Sequence, residues 1–110
     1  MYTLRYDGLY ASREDDYTSY LRFTAKGEVF QVGSEGSAKE VARWLGPKNK
    51  HISRGKYIAT IEVITFTTVS REGKVKYGGT ISPDGKVLVL VSYSLINNYT
   101  TTRSFEFIHV

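Results

Sequence analysis

The chain has 110 residues, 41% of them hydrophobic and 14% aromatic, with nine tyrosines and no cysteine. That length supports one domain spanning residues 1–110 around a single small core, and that hydrophobic share excludes a disordered chain. The lack of cysteine excludes disulfides, thiolate metal sites and a Cys nucleophile, while a net charge of +4 permits a polyanionic partner without requiring one.

Residues 2–10 alternate, with Tyr2, Leu4 and Tyr6 opposite Thr3 and Arg5, and predict a first strand closed by Gly8-Leu9-Tyr10. Ala11 to Asp16 is polar and acidic, which predicts a loop. A second strand is expected over Tyr17–Thr24, with Leu21 and Phe23 on one face and Tyr20 and Arg22 on the other. Ala25-Lys26-Gly27 turns it into a third strand over Glu28–Val32. The one helix signal follows. Ser37-Ala38-Lys39-Glu40 has the pattern of a capping box, and Gly46-Pro47 stops the helix after about two turns. A helix of two turns cannot stand alone and must dock, through Ala38, Val41, Leu45 and Trp44.

Asn49 to Lys56 reads as a basic loop, and the β-branched run from Ile58 to Val69 predicts strands four and five with a turn near Glu62. Arg71-Glu72-Gly73 leads into strand six, KVKYGGTI, and Ser82-Pro83-Asp84-Gly85 joins it to strand seven, KVLVLVSYSL. Because Val87 to Val91 is unbroken apolar, that strand is expected to be covered on both faces at the centre of a sheet. The last strand is expected over Thr101–Val110, with Phe105 and Phe107 facing away from Glu106. TAKGEV, SREGKV and SPDGKV repeat one hairpin grammar. Successive hairpins with one capped helix predict a mainly β fold, an antiparallel meander of seven or eight strands closing into a small barrel. Closure should gather Phe105, Phe107, Leu21, Phe23 and Val89 near Tyr10, with Glu106 outside.

The chain resembles the small bacterial lipocalin-like (calycin) barrels. Gly8-Leu9-Tyr10 stands where that family has Gly-x-Trp, with Tyr10 in place of the Trp. Tyr20-Leu21-Arg22-Phe23 and Lys26-Gly27-Glu28-Val29 are similar to its early hairpin, and Arg103 falls near an Arg that the family packs on its Trp. The resemblance implies a barrel whose mouth holds a small apolar or amphipathic ligand, for which Tyr10, Phe23, Tyr57, Tyr93 and Phe107 are the candidate contacts.

Other chemistry is thinly represented. His51 and His109 have no HExxH or spaced partner, so neither zinc nor His-base catalysis is expected, and no other cofactor is implied. Glu14-Asp15-Asp16 lacks the spacing of a calcium loop, and Gly33-Ser34-Glu35-Gly36 reads as a helix entry, not a phosphate loop. Lys48, Lys50, Arg54 and Lys56, with His51, Lys39 and Arg43 near them and Tyr57 beside them, form a basic patch suited to phosphates. A solvated loop explains it as well, so nucleic acid is not expected as a partner. With no nucleophile–base set in view, the expectation is a non-enzymatic binding module. The alternative is a protein–protein or homodimerisation module using Val87–Val91, and nucleic-acid binding through 48–56 is a further one. No basic n-region with an apolar h-region opens the chain and no apolar run is long enough to span a membrane, so a cytoplasmic location is the default.

Overall fold

Turn chemistry sets the strand ends. Gly27 and Gly85 take left-handed backbone angles, φ +88° and +73°, at the hairpin tips where their neighbours predict them. The computed structural model describes residues 4–110. The elements run β1 (Gly8–Arg13), β2 (Thr18–Phe23), β3 (Glu28–Ser34), α1 (Ala38–Ala42), β4 (Ser53–Ala59), β5 (Val63–Ser70), β6 (Gly73–Ile81), β7 (Val87–Ser94) and β8 (Tyr99–His109). Each strand pairs antiparallel with the next, and β8 pairs with β1 to close an eight-stranded barrel.

Several boundaries differ from expectation. The first strand is Gly8–Arg13, not 2–10; Tyr2 and Thr3 lie outside the described residues. Its position follows from its partners, since Tyr10 is held opposite Leu21 on one side and Phe107 on the other. The acidic segment shrinks to a hairpin turn in which Glu14 N–H donates to the Tyr17 carbonyl at 2.8 Å. Arg54 and Lys56, expected in a loop, stand on β4 opposite Val69 and Thr67. The capping box is present: Ser37 accepts from Glu40 N–H, and the Glu40 carboxylate accepts from Ser37 N–H, each at 3.3 Å. The helix nonetheless ends after five residues, because Arg43 and Trp44 donate three residues back, to Glu40 and Val41, and tighten the last turn.

Two cores result. Inside the barrel, Leu4, Tyr10, Leu21, Phe23, Val29, Ile64, Phe66, Ile81, Leu88, Leu90 and Phe105 pack together, with Tyr57, Tyr77 and Phe107 at their margin. Phe23 sits edge-on to Tyr10, Tyr57 and Phe66 with ring centroids 5.2–5.6 Å apart, and Phe66 stacks on Tyr77 at 4.6 Å. Each such aromatic pair adds about 0.5–1.5 kcal/mol beyond simple burial. Outside the barrel, α1 and the turn that follows it lay Val41 and Leu45 against Leu9, Tyr20, Phe30 and Ile52, covering the outer faces of β1, β2 and β3. Trp44 does not join that core and remains 41% exposed.

The strand that an unbroken apolar run predicts to be covered on both faces is covered on one. Leu88 and Leu90 point into the barrel, whereas Val89 and Val91 point out, 42% and 47% exposed. Val89 is therefore no part of the cluster around Tyr10, which does contain Leu21, Phe23 and Phe105, while Glu106 lies outside. The contrast is measurable. Phe23→Ala should cost roughly 3–5 kcal/mol in chemical denaturation, the range for a buried Phe, and Val89→Ala less than about 1 kcal/mol.

Candidate functional site

Four of the five rings expected at a ligand come together, but as packing. Tyr10 and Phe23 are sealed from solvent, Tyr57 and Phe107 are half-buried against them, and Tyr10 meets Phe107 edge-on at 5.3 Å. Arg5 lies over the Phe107 ring, 4.8 Å from its centroid, and stoppers that end. The fifth ring, Tyr93, stands on the outward side of β7, where its hydroxyl donates to Asn98. None of the clefts described on the molecule, of about 260 to 700 Å³, is lined by Tyr10, Phe23, Tyr57 or Phe107.

The buried phenol of Tyr10 is fully committed. It accepts from Arg5 N–H at 3.0 Å and donates to the Gly85 carbonyl, joining the N-terminal segment to the β6–β7 turn. Burial pushes its pKa up to about 12. Tyr57 donates to the Thr24 carbonyl at 2.7 Å, and burial together with the Tyr6 hydroxyl raises its pKa too. At the opposite end the interior turns polar. Ser12, Ser19 and Thr68 are buried there, and Gln31 donates to Ser19 at 3.3 Å. Arg103 is at this end, its Nε 2.6 Å from Glu14 Oε2, a charge pair without the alignment of a hydrogen bond. It does not pack on Tyr10, as the family likeness implies.

The outer surface is divided by chemistry. Opposite the helix, cross-strand rows read Val63–Thr80–Val89–Ser104 and Thr65–Gly78–Val91–Thr102, eight outward positions without a charge. Leu95, Ile96 and Tyr99 are exposed beyond β7, past the row that holds Lys76 and Tyr93, and Ile58 extends the apolar surface on β4 opposite Thr65. On the helix side the basic residues separate into two roles. Arg54 reaches back to the Pro47 and Asn49 carbonyls over the Phe30 ring, and Arg22 binds the Ala42 and Leu45 carbonyls at 2.7 and 3.0 Å, so both are structural. Lys48 and Lys50 project at the rim of a cleft of about 700 Å³ that also takes in Arg43, Trp44 and His51, while Lys56 lies away from it on β4. His109 is 3.5 Å from Asp7, and among the described residues no three His, Asp or Glu side chains group to hold a metal. Sequence reasoning missed the outward row of β7 and the exposure of Trp44. Five apolar residues in succession carry no alternation that could mark the first, and nothing in the pattern marks the second.

Searches with this chain return no match among protein-family models, curated proteins or solved structures.

Because Tyr10 is neutral when folded up to about pH 12 but ionises near its ordinary value of 10.0 when unfolded, its contribution is intact below pH 10 and is lost between 10 and 12. At about 1.4 kcal/mol per pH unit the loss totals roughly 2–3 kcal/mol. Denaturation curves at pH 9 to 12 should show this slope, and Tyr10→Phe should reduce it, the remainder coming from Tyr57 and Tyr77, whose hydroxyls burial also holds neutral.

Proposed function

We propose that this chain is a non-enzymatic binding module that pairs with a second copy of itself through the outer face of β5, β6, β7 and β8. The supporting observation is the uncharged double row Val63–Thr80–Val89–Ser104 and Thr65–Gly78–Val91–Thr102. Its three exposed valines, Val63, Val89 and Val91, stand among hydroxyl side chains and Gly78, and exposed apolar groups gathered on an uncharged face are a feature of interaction surfaces. An identical partner suits it: two uncharged faces stack without like-charge repulsion, and sheets pack face to face at about 10 Å. Gly78, at the centre of its row, leaves room for a partner's side chain. Four strands about 4.8 Å apart and some four residues long give a plan area of roughly 250 Å² per copy. Ile58 and Tyr93 border it, and it stays below about 600 Å² per partner, the size of weak, transient interfaces. Association is then weak and reversible, in the micromolar range.

The rings packed within the barrel support reading it as a scaffold for this face rather than as a cup. Sedimentation velocity across about 5 to 500 μM should resolve a monomer–dimer equilibrium. Val89→Lys with Val91→Lys should abolish the dimer while leaving the monomer's melting point nearly unchanged. A chain that stays monomeric throughout that range, or a lysine double variant that dimerises as before, would overturn the proposal.

A further inference from the structure

Positive charge is distributed unevenly along this chain. Between residues 39 and 56 there are six Lys and Arg and one acid, against nine and ten in the remainder, so this one segment carries the whole excess of +4. It wraps the short helix and the loop that follows it, on the side of the barrel away from the uncharged sheet face. Arg22 from β2 and Arg54 within the segment hold the loop's carbonyls and thereby fix its shape. Arg43, Lys48 and Lys50 are left exposed, with no ion pair among the described residues. The cleft they border is about 700 Å³, within the ~300–1,000 Å³ usual for ligand sites, and no acidic side chain lines it. Its wall includes Trp44, the single tryptophan of the chain, 41% exposed although the helix beside it buries Val41 and Leu45.

We infer that this cleft binds single-stranded nucleic acid, with Trp44 as the platform on which a base stacks and Arg43, Lys48 and Lys50 as phosphate contacts. An indole beside unpaired cations offers both things an unpaired strand presents, a flat ring and a charged backbone. A duplex hides its ring faces, and α1, at five residues, is too short to serve as a reading helix in a groove. A membrane surface is gripped by a broad apolar face, whereas Trp44 is the one exposed large apolar side chain among the described residues at this cleft. An acidic peptide would use the cations but has no need of the ring.

Because Trp44 is the only tryptophan, its emission reports on the cleft directly. Titration with a twelve-residue oligothymidylate at low salt should quench it, with micromolar affinity. Three phosphate contacts to a single strand predict a log–log salt slope of about −2. A hairpin duplex, phosphatidylglycerol vesicles and polyglutamate are the competing probes. By anisotropy of a labelled strand, Trp44→Ala should weaken binding roughly tenfold or more and Trp44→Phe less. Replacing Arg43, Lys48 and Lys50 together by Ala should remove most of the salt slope. All these positions are exposed, so circular dichroism should show the variants folded. Absence of quenching by the single strand at low salt would overturn the inference. So would equal binding of vesicles, duplex or polyglutamate, or unchanged affinity in folded Trp44→Ala.

Discussion

The Tyr10 side chain is the constraint on which the rest of the barrel depends. It stands on β1 directly opposite Phe107 of β8, across the seam that joins the two ends of the meander. Its ring closes that seam from within, and its hydroxyl reaches 75 residues along the chain to Gly85. Few single contacts in a domain of 110 residues bridge so much chain, and long-range closure is the entropically costly step in a meander. A buried phenol must also be satisfied, and both of its hydrogen-bonding roles are filled by backbone. Phe23, Phe66 and Phe107 complete the packing that Tyr10 begins.

That surface is asymmetric because one short helix covers part of it. Leu9, Tyr20 and Phe30 point away from the barrel axis and would be an exposed apolar stripe without Val41 and Leu45 laid over them. Across the barrel, Val63, Val89 and Val91 are outward residues of the same kind, and no element of the described chain covers them. The two stripes follow one physical rule, differing only in whether the cover lies within the chain. The cations gather on the covered side, where Arg22 and Arg54 spend their charge on loop carbonyls and their neighbours do not.

Much of the fold was legible because its turns are local chemistry. Gly27 and Gly85 mark hairpin tips by backbone freedom alone, Pro83 and Asp84 reinforce one of them, and Ser37 with Glu40 announces the helix start. Meander order and closure follow once each neighbour is joined by a short turn. Facing was harder to read. Val87 to Val91 are all apolar, so period-two alternation is invisible there, and only the register against Phe105 and Arg103 reveals which residues point inwards. The start of β1 depends on partners about ten and a hundred residues away, which no local pattern encodes. Arg103 met Glu14 rather than Tyr10 because four residues of extended strand, roughly 13 Å, separate it from the Tyr10–Phe107 pair. Of the candidate sites, the basic patch was legible as charge. Its division into structural Arg54 and exposed Lys48 and Lys50 required the fold.

Whether the barrel is filled or hollow decides between an outward-facing module and a ligand cup. Two-dimensional NMR of the aromatic side chains during titration with a fatty acid and with a small apolar dye tests this most directly. A filled barrel predicts no saturable shift of the Tyr10, Phe23 or Phe66 ring signals, with any weak changes confined to outward residues such as Val91. Saturable one-to-one shifts centred on those three rings would contradict it and place the ligand inside.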